Sequence, residues 1–255
     1  ARSILNSVTK LRDVDLGDMK RVTFDNGMIM APGDIAAKRS ERAESIIIRN
    51  NYFYGSGHAI NAMAFKNTLF EDNVVETVNS GLQIVANIWW WEGAGSENIT
   101  IRNNTFIDTA TSFSRGQSAI NVGIQGGESG YSATHLARNV LIEGNTIQSS
   151  KDGGIFVGNS ENVVIRNNSY IDGEKSMIEL MHVDHASIVS NYADQVKETP
   201  FSLRYVDHVE VESNILSNLR IDEENLTATC QACVVTLDLF NAVAAKGLFY
   251  PPDPG

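Results

Sequence analysis

Seven short segments of β-branched residues recur along the chain, and each places an asparagine at the same register. They are SIIIRNNYF (45–53), NTLFEDNVV (67–75), NITIRNNTF (98–106), NVLIEGNTI (139–147), NVVIRNNSY (162–170), ASIVSNYA (186–193) and HVEVESNIL (208–216). The aligned residues are Asn51, Asn73, Asn104, Asn145, Asn168, Asn191 and Asn214, spaced 22, 31, 41, 23, 23 and 23 apart. The two long spacings exceed 23 by 8 and 18 residues, as expected for loops inserted into otherwise standard units. A second strand falls between these segments: HAINAMAF (58–65), SGLQIVAN (80–87), SAINVGIQ (118–125), GGIFVGN (153–159), SMIELMHV (176–183) and PFSLRYV (200–206). Its apolar residues alternate, the period of a strand with one buried face. Units of about 23 residues with two or three short strands cannot each bury a face alone, but stacked they enclose one core. The pattern therefore predicts an all-β chain: a single-stranded right-handed parallel β-helix, or β-solenoid, of about seven coils, right-handed crossover being the default. A short C-terminal α-helical tail follows it.

Stacked at one turn, the motif asparagines predict a ladder in which each side-chain amide bonds to the next coil and to turn backbone that no strand satisfies. Asparagine also tolerates the left-handed conformation of tight corners. Arg49, Arg102 and Arg166 precede the ladder at matching positions and are expected to point outward without a role.

Composition narrows the partners. With 255 residues, 42% hydrophobic, the chain can bury a core. A formal net charge of −11 argues against nucleic acid and against an anionic membrane surface. No stretch reaches 18 apolar residues, so no membrane span is expected. The chain starts with ARSILNSVTK rather than with Met or a signal peptide, as a processed or excised piece would. Two cysteines exclude a disulfide scaffold. CQAC (230–233) lacks a second Cys pair, and no zinc-protease helix motif, nucleophile elbow or phosphate loop occurs. His185 and His208, each following Val-Asp and 23 apart, read as repeat copying at a corner, so no metal site is expected.

Alternation also picks out a column facing away from the core on the second strand: Asn61, Gln83, Asn121, Phe156, Glu179 and Ser202, with Arg204 one step on. Amides, an acid and a guanidinium in one row suit hydroxyl-rich ligands; a solvated face is the other reading. The longer loops fall beside this strand. NIWWWEGAGSE (87–97) carries three adjacent tryptophans and Glu92. Trp90 and Trp91 are candidates for stacking on sugar rings, although tryptophans there could equally cover the solenoid flank. QGGESGYSATHLAR (125–138) adds Glu128 and Tyr131, and SFSRGQS (112–118) adds Arg115. Glycoside hydrolysis needs two carboxyls flanking the scissile bond. The candidates are Glu179, Glu92, Glu128 and Asp152, the first two being the expected catalytic pair and Gln83, Trp90, Trp91, Asn121 and Arg204 the expected substrate contacts.

Residues 25–215 resemble β-helix glycoside hydrolases of the α-1,3-galactosidase type. The resemblance is carried by APGDIAAKRSERAESIIIRNNYFYGSGHAINAMAFKNTLFEDNVVETVNSGLQI, WWWEGAGSENITIRNNTF and SAINVGIQGGESGYSATHLARNVLIEGNTI. It implies a right-handed parallel β-helix that acts on or binds a polysaccharide or oligosaccharide in a secreted or periplasmic setting. It also implies that the family's acidic catalytic cluster lies on coils preceding residue 1, since its paired-Asp pattern has no counterpart in this chain. Residues 1–40, including MKRVTFDNGMIM (19–30), would be the remnant of a small inserted β-domain, and 41–219 the β-helix.

Residues 220–255 break the repeat. TLDLFNAVAAKGLFYPPDPG resembles the flavin-binding domain of glycolate oxidase and D-lactate dehydrogenase flavoproteins. Cys233 stands where that family has Gly, and the flavin-holding Gly-rich loop is missing, so no cofactor is expected. Locally, Leu237, Phe240 and Ala244 make one apolar face of a helix predicted over 237–246, ended by Gly247. This segment is expected to cap the last coil. Three functions stay open: a carbohydrate-active piece of a glycoside hydrolase-like protein, a non-catalytic glycan-binding scaffold, and, remotely, a flavin oxidoreductase fragment.

Overall fold

The computed structural model describes residues 43–55, 57–86, 95–111, 118–124 and 135–217. Outside these it describes only short pieces at 14–15, 23–25, 28–30, 220–222, 227–229, 243–244 and 246–247. The motif segments form a seven-stranded parallel sheet from Tyr52–Gly55 through Val74–Thr77, Thr105–Ile107, Thr146–Gln148, Ser169–Ile171 and Tyr192–Asp194 to Ile215–Ser217. Seven coils are therefore stacked in chain order. A second, 12-stranded sheet wraps the other two sides. In the early coils these sides are separate strands, such as Leu82–Ala86 and Ser96–Arg102. In the later ones a single 12-residue strand turns the corner: Ile155–Arg166, Ile178–Val189 and Phe201–Glu212. The separation follows from the sequence spacings, since the long insertions enter at this corner.

The register stacks like on like. Ile48, Phe70, Ile101, Ile142, Ile165 and Ile188 pair in succession and are buried. Each contributes about 1.5–3 kcal/mol of apolar burial as an upper estimate. Their strands are held edge to edge by parallel ladders that no single coil could supply alone.

The asparagine ladder runs unbroken. Each Nδ2 donates to the Oδ1 of the next coil's asparagine at 2.9–3.1 Å from Asn51 to Asn214. Each backbone N–H donates to that same oxygen. From Asn73 onward each Nδ2 also donates to a carbonyl of the preceding coil: Ile48, Phe70, Ile101, Ile142, Ile165 and Ile188. One detail differs from the expectation. The left-handed residues are those before the ladder, namely Asn50, Asp72, Asn103, Gly144, Asn167, Ser190 and Ser213, and not the ladder asparagines. The turn residue absorbs the positive φ, leaving the next side chain free to point inward and bond.

Arg49, Arg102 and Arg166 do point outward, but not idly. They share a column with Glu71 and Glu143, so charge alternates from coil to coil. Arg102 grips Glu71 at 2.7 and 2.8 Å, and Arg166 grips Glu143 at 2.7 Å.

The two ends differ. Val14–Asp15 pairs antiparallel with Ile47–Ile48 at the first coil, and Met28–Met30, hairpinned to Thr23–Asp25, runs close to Ile60–Ala62. At the last coil Leu203, Val209 and Val211 continue the inward columns of Leu180, Ala186 and Ile188, yet stay 38, 39 and 43% exposed. Beyond it, Arg220–Asp222 and Thr227–Thr229 form a hairpin. Of the predicted tail helix, Val243 and Ala244 are helical and Gly247 has a φ of +71°. Leu237 and Phe240 lie outside the described residues.

Candidate functional site

The column picked out by alternation exists in register. Asn61 pairs with Gln83, Gln83 with Asn121, Asn121 with Phe156, Phe156 with Glu179 and Glu179 with Ser202. Its neighbours on either side, such as Leu82 and Ile84, belong to the core, so the column lies on the outer side of the sheet. The solvated-face reading fails for its middle: Gln83, Asn121 and Phe156 are buried, at 2, 2 and 8% exposure. Alternation fixes which way a side chain leaves the sheet, but not whether water reaches it there.

The outer side has its own chemistry. Asn121 Nδ2 donates to the Ser118 carbonyl at 2.6 Å and to Ser80 Oγ at 2.9 Å. Gln83 Nε2 donates to the same Ser80 oxygen at 3.3 Å. The Oδ1 atoms of Asn61 and Asn121 are buried without a hydrogen-bond partner among the described residues. A small apolar cluster of Ile124, Phe156 and Met181 adjoins Asn121, the register partner of Phe156, with Leu136 packed against it. Gly123 and Gly158 make this cluster possible. Gly123 has a φ of +97° and a Cβ there would fall 1.9 Å from the Gly158 carbonyl oxygen, while one at Gly158 would strike Ile124 and the Phe156 ring.

Past the apolar cluster the column becomes charged. Glu179 accepts a hydrogen bond from the Arg204 guanidinium. Lys175 pairs with Asp152 at 3.1 Å. The Asp152 carboxylate holds the Lys175 ammonium above its ordinary pKa, with Glu198 and Glu179 adding to the effect. Two of the four candidate carboxyls, Asp152 and Glu179, thus act on the same cation.

The structure brings Gln83 and Asn121 together through Ser80, and Glu179 and Arg204 together by an ion pair. Phe156 stands between the two groups. Glu92, Trp90, Trp91, Glu128, Tyr131 and Arg115 lie outside the described residues. The described ends of their segments converge, however. Ala86 pairs with Ile124 before the two larger loops, and Ser96 pairs with Ala137 after them. Both loops therefore leave and rejoin adjacent coils at one corner, beside Gln83 and Asn121. Sequence reasoning missed Ser80, Ser118 and Lys175. Ser80 and Ser118 hold their positions three residues before Gln83 and Asn121, a repeated offset visible in the strings SGLQ and SAIN.

A second asparagine column marks the corner between the two outer sides. Asn67, Asn98, Asn139 and Asn162 all have positive φ, and their side-chain amides bond successively at 2.7, 2.9 and 3.2 Å. His185 and His208 occupy the same corner in the last two coils, with φ of 56° and 51°. Their 23-residue spacing is thus a corner repeat, as expected. Their rings stack at 4.6 Å, and both Nδ1 atoms reach Asp184 Oδ1, at 3.1 and 2.9 Å. The carboxylate raises the His208 pKa, and hydrogen bonding from His208 lowers that of Asp184.

Residues 114–243, just over half of the chain, match the family described as the right handed beta helix region, and the chain belongs to that family. Among individual proteins, 36 residues are 72% identical to glycolate oxidase subunit GlcD of Bacillus subtilis (strain 168). That match spans 14% of this chain and only 8% of the relative. A solved structure, PfbA, a surface adhesin of Streptococcus pneumoniae, aligns over 82% of this chain and 49% of its own, at 15% identity and a TM-score of 0.45.

Proposed function

We propose that the chain is a glycan-binding β-helix whose ligand lies along the outer column from Asn61 to Arg204. The observation that carries this is the charged end of the column, where the paired side chains of Glu179 and Arg204 stay 31 and 44% exposed and so within reach of a ligand. A carboxylate and a guanidinium side by side accept from and donate to neighbouring hydroxyls, as a hydroxyl-rich ligand requires. Deeper in the column the amides of Asn61 and Asn121 stand two coils apart, about 9.6 Å at ~4.8 Å per strand, with Gln83 between them. The Phe156–Met181 cluster offers an apolar step between the amide end and the charged end. The coil-motif resemblance to polysaccharide-active β-helices supports the same ligand class and a location outside the cytoplasm. No helix among the described residues is long and apolar enough to cross a membrane.

Hydrolysis is the second reading, favoured by one observation: Asp152 and Glu179 are two partly accessible carboxylates, each paired with a cation, Lys175 and Arg204. A panel of neutral and acidic oligosaccharides separates the readings. Binding without product defines a binding module; product that disappears in Glu179→Gln defines a hydrolase. In both cases Glu179→Gln and Arg204→Ala weaken binding at unchanged melting temperature. A panel with no binder, or a binder indifferent to Glu179, Arg204 and Asn121 variants, overturns the proposal.

A further inference from the structure

We propose that Asp184, His185 and His208 form a binding site for a divalent transition-metal cation of the Zn2+ class on the outer corner of the sixth and seventh coils. Three potential ligand atoms, one carboxylate oxygen and two imidazole nitrogens, lie within 4.8 Å of one another. The two nitrogens approach the same Asp184 oxygen at 3.1 and 2.9 Å. In a tetrahedral zinc site with bonds of about 2.0–2.1 Å, neighbouring ligand atoms sit about 3.3–3.4 Å apart. Admitting the ion therefore asks the two His–Asp contacts to open by a few tenths of an ångström and the two stacked rings, 11° from parallel, to rotate until both Nδ1 lone pairs point at one centre. All three side chains reach solvent, so these movements are cheap, and the ion has an entry path.

The corner column gives an independent reason to single out these histidines. Four preceding coils use asparagine there, and each amide serves the one beside it. Imidazole cannot donate and accept on one edge as an amide does, so His185 and His208 abandon that ladder. Instead they stack at 4.6 Å and turn the same ring nitrogen toward one carboxylate. Asp184 precedes His185 in the sequence and shares its column with Asp207, one coil on. Corner geometry explains the 23-residue spacing; it does not require imidazole, nor the convergence on Asp184.

The donor set selects the cation. Two imidazoles with one carboxylate suit Zn2+, Co2+, Ni2+ or Cu2+, whereas Mg2+ and Ca2+ prefer all-oxygen shells. Three protein ligands leave at least one position for water or for a donor from a bound molecule.

Calorimetric titration of the untagged full chain with Zn2+, and absorbance titration with Co2+, test the site directly. One equivalent of Zn2+ should bind, with Ca2+ failing to compete. His185→Asn and His208→Asn should each weaken binding by more than about tenfold, exceeding the low end of what loss of an outer-shell partner costs. Asparagine is the residue of this corner in four of the other coils, so both variants keep the fold. Asp184→Asn provides a test that leaves the corner residues intact. His58→Gln, which removes a buried histidine of the first coil, should leave binding unchanged. Absence of saturable Zn2+ binding, or binding that persists in the double His→Asn variant, overturns the assignment.

Discussion

Two asparagine columns run the length of the same coils, and they have met different fates. The buried one, Asn51 to Asn214, is unbroken through seven coils, and each interior member bonds both a carbonyl of the preceding coil and the amide of the neighbouring asparagine. The exposed one, at the corner, is asparagine in four coils, serine at Ser45 and histidine at His185 and His208. Both columns sit at turns, and left-handed backbone is needed in the exposed one and just ahead of the buried one. What separates them is access to water. Where water can replace a lost partner the position tolerates exchange and can acquire other chemistry; where it cannot, one residue type satisfies the site.

The largest expected effect comes from cutting the buried column. Asn145→Ala removes the acceptor for the Asn104 amide and the donor to the Ile101 carbonyl. With about 1–3 kcal/mol for each buried group left unpaired, urea unfolding should show a loss of about 3–5 kcal/mol. Asn139→Ala, at the exposed corner, should cost only about 1 kcal/mol, mostly the strain of alanine at positive φ. Equal losses at the two sites would erase the distinction. Arg102→Ala opens the charge column on the outside, and its ion pair with Glu71 should contribute less than about 1 kcal/mol.

The smallest effect is a slope. His58 is buried, its Nδ1 lies 2.9 Å from the Ser80 carbonyl, and burial lowers its pKa. Protonation is therefore easier in the unfolded chain, near the ordinary value of about 6.5. The stability linked to His58 is full above that pH and declines as pH falls toward the folded-state value. His58→Gln should flatten that part of the stability–pH profile.

The repeat made most of the scaffold legible. Motif spacing located the coils, the ladder and the outer column, because a β-solenoid repeats one environment at one sequence interval. Burial of Gln83 and Asn121 was not legible, since it depends on what lies over the sheet rather than on strand phase. Ser80 and Ser118 were missed because their role is to anchor an amide three residues on, not to follow the strand pattern. The convergence of His185 and His208 on Asp184 was half legible: the spacing put them in one column, but not their rings on one carboxylate. The flavoprotein-like tail has no repeat to read. The half-exposed Leu203, Val209 and Val211 give a capping segment something to cover, and removing 221–255 should expose them further and promote association if the tail sits there.

The central claim is that ligand binds on the outer side of the column while the core stays out of reach. Methionine methyl groups report on both sides at once. Met181 belongs to the outer cluster with Phe156, and Met177 lies in the core at 0% exposure. Titration of methyl-labelled protein with a bound oligosaccharide should shift the Met181 resonance and leave Met177 in place. A glycan that binds without moving Met181 would place its site elsewhere and contradict the account.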